Sequence, residues 1–348
     1  MKRALLFLFL LICSPILLSF DSTAYDDNYF AYYKSPEGIS FLSYTENWNE
    51  QKLKDLYKEL IKNKHGAEIK FLQEVRVKDG PSKDNGILNP SIRGHYNVLT
   101  STITIYHGDQ FTKASELSEI LSHEYGHHFS YYYFKTHHFP FSKWSSLRGL
   151  NSTDIYWDAF WNYSANNERH KWYPQEIIAD DYILLFSAPN PVKLKDVYNN
   201  EAFYLRTEHE NQDIPNIYEQ LELHRYISKV TGIKVDEDRL LETPTLLPFT
   251  EDQNKILYSI TKKANVAYRL TINYEDDGEE KYMELLKITD KNSGDTLEFL
   301  LNEIAGDIEQ NSFRATLDVL DLNTGIGLNT GEECMKFTKE NHLKRCSI

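Results

Sequence analysis

Leu53, Leu56, Tyr57 and Leu60 recur at i, i+3, i+4 and i+7, so residues 51–63 are predicted to form an amphipathic helix. Asn49 suits its N-cap, and His65-Gly66 end it. Ile69, Phe71 and Val75 then alternate as in a strand over residues 68–77. Gly80-Pro81, Asn85-Gly86 and Asn89-Pro90 mark residues 78–97 as a loop, and the β-branched alternation of residues 98–106 predicts a second strand. A helix follows from about residue 112 or 115 to 133, with Leu117, Ile120, Leu121 and Phe129 as its buried stripe. The long aromatic segment 137–173 carries Trp144, Trp157, Trp161 and Trp172, which read as packing residues. Residues 176–186 read as another helix entered through Pro174, and a further helix is expected over residues 217–230.

The period changes beyond residue 243. Pro244 and Pro248 punctuate residues 243–249 as a linker, and period-2 patterns take over. Val266, Tyr268, Leu270, Ile272 and Tyr274 share one face of one strand, and Phe313, Ala315, Leu317 and Val319 share one face of another. Asp277-Gly278 is a hairpin signal before Tyr282. The fold class is therefore α+β, with a helix-rich unit over residues 25–242 and a β-sandwich-like unit over residues 250–348.

Composition narrows the function classes. The 348 residues are 41% hydrophobic, enough to support packed cores rather than global disorder. With a net charge of −14 and no Lys/Arg block, the chain lacks the basic footprint of a nucleic-acid binder. Lys2 and Arg3, the apolar stretch 4–20 and the small residues Ser22-Thr23-Ala24 predict an export signal over residues 1–24, with an uncleaved membrane anchor as the alternative. The expected location is secreted or extracellular, with a membrane as partner only if residues 4–20 stay attached. Cys13 leaves with the signal, so Cys334 and Cys346 are expected to pair as a disulfide.

The chemistry concentrates in His123-Glu124-Tyr125-Gly126-His127. Residues i and i+4 of a helix project from one face, so His123 and His127 can converge on one tetrahedral ion while Glu124 reaches a water beside it. A third protein ligand is required. The metzincin arrangement would need Gly at 130 and His at 133, where the chain has Ser130 and Tyr133. The other source is a carboxylate on a later helix, where Glu176 precedes Asp180 by one turn. Asp180 can then accept a hydrogen bond from the outer nitrogen of a ligand histidine. Glu210, beside His209, reads as a solvated charge.

HEYGH followed by Glu-Ile-Ile-Ala-Asp on a downstream helix resembles the gluzincin superfamily of zinc metallopeptidases, in both its thermolysin-like and lethal-factor-like branches. The resemblance covers roughly residues 53–182. It implies a zincin-like catalytic domain, one Zn²⁺ per chain held by His123, His127 and Glu176, Asp180 behind His123, and Glu124 as general base. The 49 residues between His127 and Glu176 exceed thermolysin spacing. No Tyr or His falls where those families place the oxyanion-stabilising group, leaving Tyr173 and His209 as candidates. The resemblance also implies a substrate-pairing edge strand just upstream of the HExxH helix, which the sequence pattern puts at residues 98–106. The expected function is an exported peptidase acting on peptides or proteins. A non-peptidase zinc hydrolase and an adhesion protein with an inactive zincin domain remain as alternatives, and the oligomeric state is not legible.

Overall fold

A computed structural model describes residues 28–84, 87–150, 154–159, 167–249, 255–276, 278–300, 312–338 and 343–346. The export segment, Cys13, Asn85-Gly86, Trp161 and Asp277 lie outside the described residues.

The chain is α+β. Its first half is built on strands β1 (Ala31–Lys34), β2 (Ser40–Ser43), β3 (Glu74–Val77), the small hairpin β4 (Ser82–Asp84) and β5 (Ile87–Asn89), β6 (Gly94–Asn97) and β7 (Thr102–Ile105). Five of these form a mixed sheet in the order β1-β2-β3-β7-β6. The β2-β3 and β3-β7 pairs are parallel, while β6 closes the edge antiparallel to β7. A parallel pair needs a crossover, and helix α1 (Glu50–Lys62) supplies the one between β2 and β3. Its cap is Asn49, whose side chain accepts from the Lys52 N–H at 3.0 Å, and its stripe of Leu53, Leu56, Tyr57 and Leu60 is buried.

Three expectations for this half need correcting. The strand expected over residues 68–77 begins only at Glu74, because residues Ala67–Phe71 form a 3-10 turn. The Glu68 carboxylate folds back onto the Gly66 N–H at 3.0 and 2.9 Å and is buried. Residues 78–97 are not all loop, since they contain β4, β5 and β6. The strand expected over residues 98–106 is confined to β7, an inner strand, so the sheet edge beside the HExxH helix is β6.

The helices after the sheet are α2 (Ser118–Tyr133), α3 (Lys143–Arg148), α4 (Asn167–His170), α5 (Pro174–Phe186), α6 (Leu194–Tyr198), α7 (Glu201–Tyr204) and α8 (Leu221–Thr231). Pro174 occupies the first turn of α5, where its missing N–H costs nothing. All but Gln175 of this helix is buried, so α5 is a central helix rather than an amphipathic surface one. Trp144 is buried, and Trp157 and Trp172 pack partly buried against the same core.

The last third is antiparallel β: β8 (Thr245–Leu246), β9 (Lys255–Ser259), β10 (Val266–Asp276), β11 (Glu279–Ile288), β12 (Thr296–Leu300), β13 (Ser312–Asp321), β14 (Gly327–Phe337) and β15 (Leu343–Arg345). These make one sheet ordered β11-β10-β13-β14-β15 and another ordered β12-β9-β8. The expected linker is thus partly a strand, because β8 pairs with β9 between Pro244 and Pro248. Cys334 and Cys346 form a disulfide that ties β14 to the end of β15.

One apolar core runs from Val75 and Ile103 of the first sheet through Ile177 and Leu184 of α5 to Leu270, Phe299 and Phe313 of the β region. A smaller cluster packs Val197, Ala202 and Phe203 against Ala267, Leu320 and Leu322. The segment carrying α6 and α7 therefore sits on the C-terminal sheet, although it precedes residue 243. Among the described residues, no helix is long and apolar enough to cross a membrane.

Candidate metal centre

Helix α2 carries His123 and His127 one turn apart, their rings 4.9 Å between centroids and nearly perpendicular. Helix α5 lies against it so closely that a Cβ at Gly126 would stand 2.8 Å from the Ala179 carbonyl oxygen and 2.9 Å from its Cα. Only a glycine allows that approach, and it brings the first two turns of α5 over the two histidines.

The result is a convergence on one carboxylate oxygen. Glu176 Oε2 is 3.2 Å from His123 Nε2 and 3.3 Å from His127 Nε2. The ligand atoms of these three residues lie within 4.8 Å of one another, the one such group among the described residues. Behind it, His123 Nδ1 is 3.0 Å from Asp180 Oδ1, which leaves Nε2 facing Glu176.

Electrostatics reinforce the geometry. Burial disfavours a charged His123, but its hydrogen bonds with Asp180 and Glu176 outweigh that and hold the imidazole well above its usual value. Burial also disfavours charge on Glu176, yet the electrostatic attraction of adjacent His127 and the hydrogen bonds from both histidines hold its carboxyl well below the usual range. The Glu176 carboxylate is thus matched by protons on imidazole nitrogens. A divalent cation replacing those protons meets two imidazoles and one carboxylate. Bonds of about 2.0–2.1 Å in a tetrahedron separate ligand atoms by roughly 3.3 Å, close to the two separations between Glu176 and the histidines. The donor set fits a zinc-like ion.

Glu124 is buried beside this group and lines both cavities that open onto it, of ≈ 480 and ≈ 200 Å³. The edge strand β6 passes directly over its carboxyl group. A Cβ at Gly94 would overlap Glu124 Oε1 and lie 2.8 Å from its Cγ and Cδ. Gly94 is therefore what lets the sheet edge and Glu124 share one cleft.

The structure adds a residue that sequence reasoning passed over. His170, at the end of α4, lines both cavities, and its Nε2 is 3.4 Å from Glu176 Oε2. Its Nδ1 is 2.7 Å from Glu210 Oε2. Burial disfavours the His170 cation, but Glu210 and then Glu176 raise it to about 8. Glu210 is exposed, as expected of a solvated charge, but it also has partners: its carboxylate meets His170 and its N–H donates to Asp180 Oδ2 at 2.9 Å. No local pattern marks a pair 40 residues apart, and the one available hint is a histidine one short turn before Pro174. Tyr131 also lines the smaller cavity, and burial, then the Glu176 charge, push it up to about 12, so it keeps its proton.

Tyr173 and His209, the expected oxyanion candidates, line neither cavity. Tyr173 is fully buried against Tyr156. His209 lies behind α5, where its Nδ1 accepts from the Asn211 N–H at 2.9 Å and its Nε2 faces Asp181 at 3.6 Å. Asp181, adjacent to Asp180, points away from the metal group and accepts Arg148 Nε at 3.0 Å on each oxygen.

No protein-family model matches the chain, and no curated protein matches it. Among solved structures it is similar to the crystal structure of wild-type OgpA from Akkermansia muciniphila, at 10% identity and a TM-score of 0.21. That match covers 79% of this chain and 66% of the other, and a TM-score that low carries no argument about either fold or chemistry.

Proposed function

We propose that this chain is a zinc-dependent peptidase with a zincin-like catalytic region, exported through its N-terminal segment. The observation that carries the reading is the meeting of His123 Nε2, His127 Nε2 and Glu176 Oε2 within one small group, with Glu124 beside it in an open cleft. Zinc, when bound, lowers the pKa of a water toward about 7 and polarises a carbonyl. Glu124 takes the proton of the attacking water and passes it to the leaving amine. His170, oriented by Glu210, donates a hydrogen bond to the oxygen on which negative charge develops, and Tyr131 is the second donor within reach of the cleft. The free side of β6 offers backbone groups to an extended peptide laid across Glu124, replacing the role expected of residues 98–106. An intact general base at Glu124 favours an enzyme over an inactive adhesion domain.

Metal analysis of the purified chain, followed by incubation with a diverse peptide library with and without chelator, tests this. One zinc per chain and chelator-sensitive cleavage are expected. A chain that takes up no zinc, or that hydrolyses esters but no peptide, overturns it.

A further inference from the structure

Asp180 of α5 and His170 of α4, at the back of the metal group, are also met by a residue from outside the helices that carry them. Asp180 Oδ2 receives the N–H of Glu210, and the same residue's carboxylate fixes His170. Glu210 belongs to a strap, residues 205–211, that follows α7. Its anchor is the C-terminal sheet. The Thr207 N–H donates to the Gly325 carbonyl at 2.9 Å, and the Gly327 N–H donates back to the Thr207 carbonyl at 2.9 Å.

Arg206 locks the strap from the other side. Its Nη2 is 3.0 Å from Asp318 Oδ1 on β13, its Nη1 donates to the Phe203 carbonyl at 2.9 Å, and its Nε donates to Glu208 Oε2 at 2.7 Å. Asp318 is in turn gripped by Arg269 of β10 at 3.1 and 2.8 Å, and Arg269 is covered by Phe203 and Tyr204, with its guanidinium 4.6 and 5.0 Å from the ring centres. The fit leaves no slack: a Cβ at Gly327 would overlap Arg206 Cδ and meet the Val319 carbonyl oxygen at 2.5 Å. Glu208 and Glu210, at the other end of this lock, line the larger cavity of the cleft.

We infer that the C-terminal sheet is a working part of the metal centre: through the Arg206–Asp318 lock it sets the strap that positions Asp180 and His170. Arg206 is a positioning residue, acting through Glu210. The inference deepens the proposed function and rests on it for the identity of the ion, but the mechanical claim has its own readout.

Amide hydrogen exchange of the full-length chain measures the Glu210 N–H directly, with or without metal. Arg206→Ala and the milder Arg206→Lys, which keeps the charge but loses the fork, are compared with Leu297→Ala, a buried change on β12 remote from the strap. The Arg206 variants are expected to speed Glu210 exchange and to weaken zinc affinity by up to about 10-fold, the low end of the loss for removing the group that orients a ligand histidine, because Asp180 itself remains. Arg206→Lys should fall between wild type and Arg206→Ala. Leu297→Ala should lower the melting temperature while leaving both quantities near wild type. Unchanged Glu210 exchange in folded Arg206→Lys and Arg206→Ala, or equal loss of zinc affinity in Leu297→Ala, overturns the inference. A wild-type chain that takes up no metal instead overturns the zinc reading, and the exchange data still decide the strap.

Discussion

Two clusters of charge are joined by residues 205–211. In the C-terminal cluster, Arg206 and Arg269 meet Asp318 at 3.0 and 2.8 Å, and Arg269 reaches Glu284 at 3.4 Å. Guanidinium groups have no lone pair to give, and their charge is met by carboxylates on the spot, so the cluster is closed both chemically and sterically. The α2–α5 cluster puts imidazoles around Glu176, on the wall of two cavities. Imidazoles give up their protons and then present lone pairs, so this cluster can exchange protons for a metal where the other cannot. Buried charge alone does not mark a site. The donor type and the open side do.

That contrast breaks first at the carboxylates of the open cluster. On the proposed reading Glu176→Ala removes a ligand, so zinc content, activity and the stability lent by the metal should all fall. Glu124→Gln keeps the shape and should keep near one zinc per chain, while turnover drops by about 10²-fold to 10⁴-fold. Metal analysis, melting curves and peptide turnover on the two variants check this. Zinc retained in Glu176→Ala would place the third ligand elsewhere.

Asp180 and Asp181 repeat the contrast within one helix turn. Asp180 serves the open cluster and Asp181 forms a closed pair with Arg148, whose side chain is also buried. Breaking a buried pair by removing one partner costs about 3–5 kcal/mol, so Asp181→Asn should unfold at lower denaturant while the surviving folded protein keeps its zinc affinity. Asp180→Asn should do the reverse, losing about 10-fold to 100-fold in zinc affinity with a smaller stability change. Parallel denaturation and chelator-competition titrations separate the two. Similar profiles for both variants would mean that the face of α5 is misassigned.

How much of this was written locally is instructive. HEYGH and Glu176/Asp180 stand at i, i+4 spacings that a helix turns onto one face, so the pairs were legible although α5 is buried nearly all round. The long strands β10 and β13 were legible at period two. What escaped depended on distant partners. Residues Ala67–Phe71 look strand-like until Glu68 finds the Gly66 N–H and the Tyr125 hydroxyl, the latter 57 residues away. Strand β6 is Gly-His-Tyr-Asn, a polar edge paired on one side only, and β8 hides between two prolines. His170 and Glu210 acquire meaning only when the strap brings them together.

The disulfide offers a change confined to the closed side. Cys334 and Cys346 are 12 residues apart, and closing so short a loop stabilises by roughly 3 kcal/mol in the chain-entropy view. Reduction should lower the melting temperature while zinc content and turnover stay near those of the oxidised protein, because neither cysteine touches the strap or the cleft. Loss of zinc on mild reduction would show that the β14–β15 end of the sheet supports the metal group in addition to the Gly327 anchor of the strap.

His137 is a buried imidazole of a third kind, belonging to neither cluster. Its Nδ1–H donates to the Phe134 carbonyl at 2.8 Å, and its Nε2 is buried without a hydrogen-bond partner among the described residues. Tyr131, His138 and Trp144 surround it. Burial, abetted by the neighbouring His138 and His127, lowers it from about 6.5 to about 3. A histidine depressed on folding is neutral in the folded chain at pH values where the unfolded chain already binds a proton. Its stabilising contribution is therefore full above about pH 6.5 and is lost progressively as the pH falls toward about 3. Between pH 7 and pH 5 the loss amounts to about 2 kcal/mol. Chelator-treated protein should show this slope in urea midpoints measured over that range, since no metal is then present to compete with protons at the open cluster. His137→Gln keeps a donor for the Phe134 carbonyl and cannot be protonated, so it should flatten the slope by about that amount. A variant slope equal to wild type would assign the acid sensitivity to other groups, among them the buried His128, which burial also lowers.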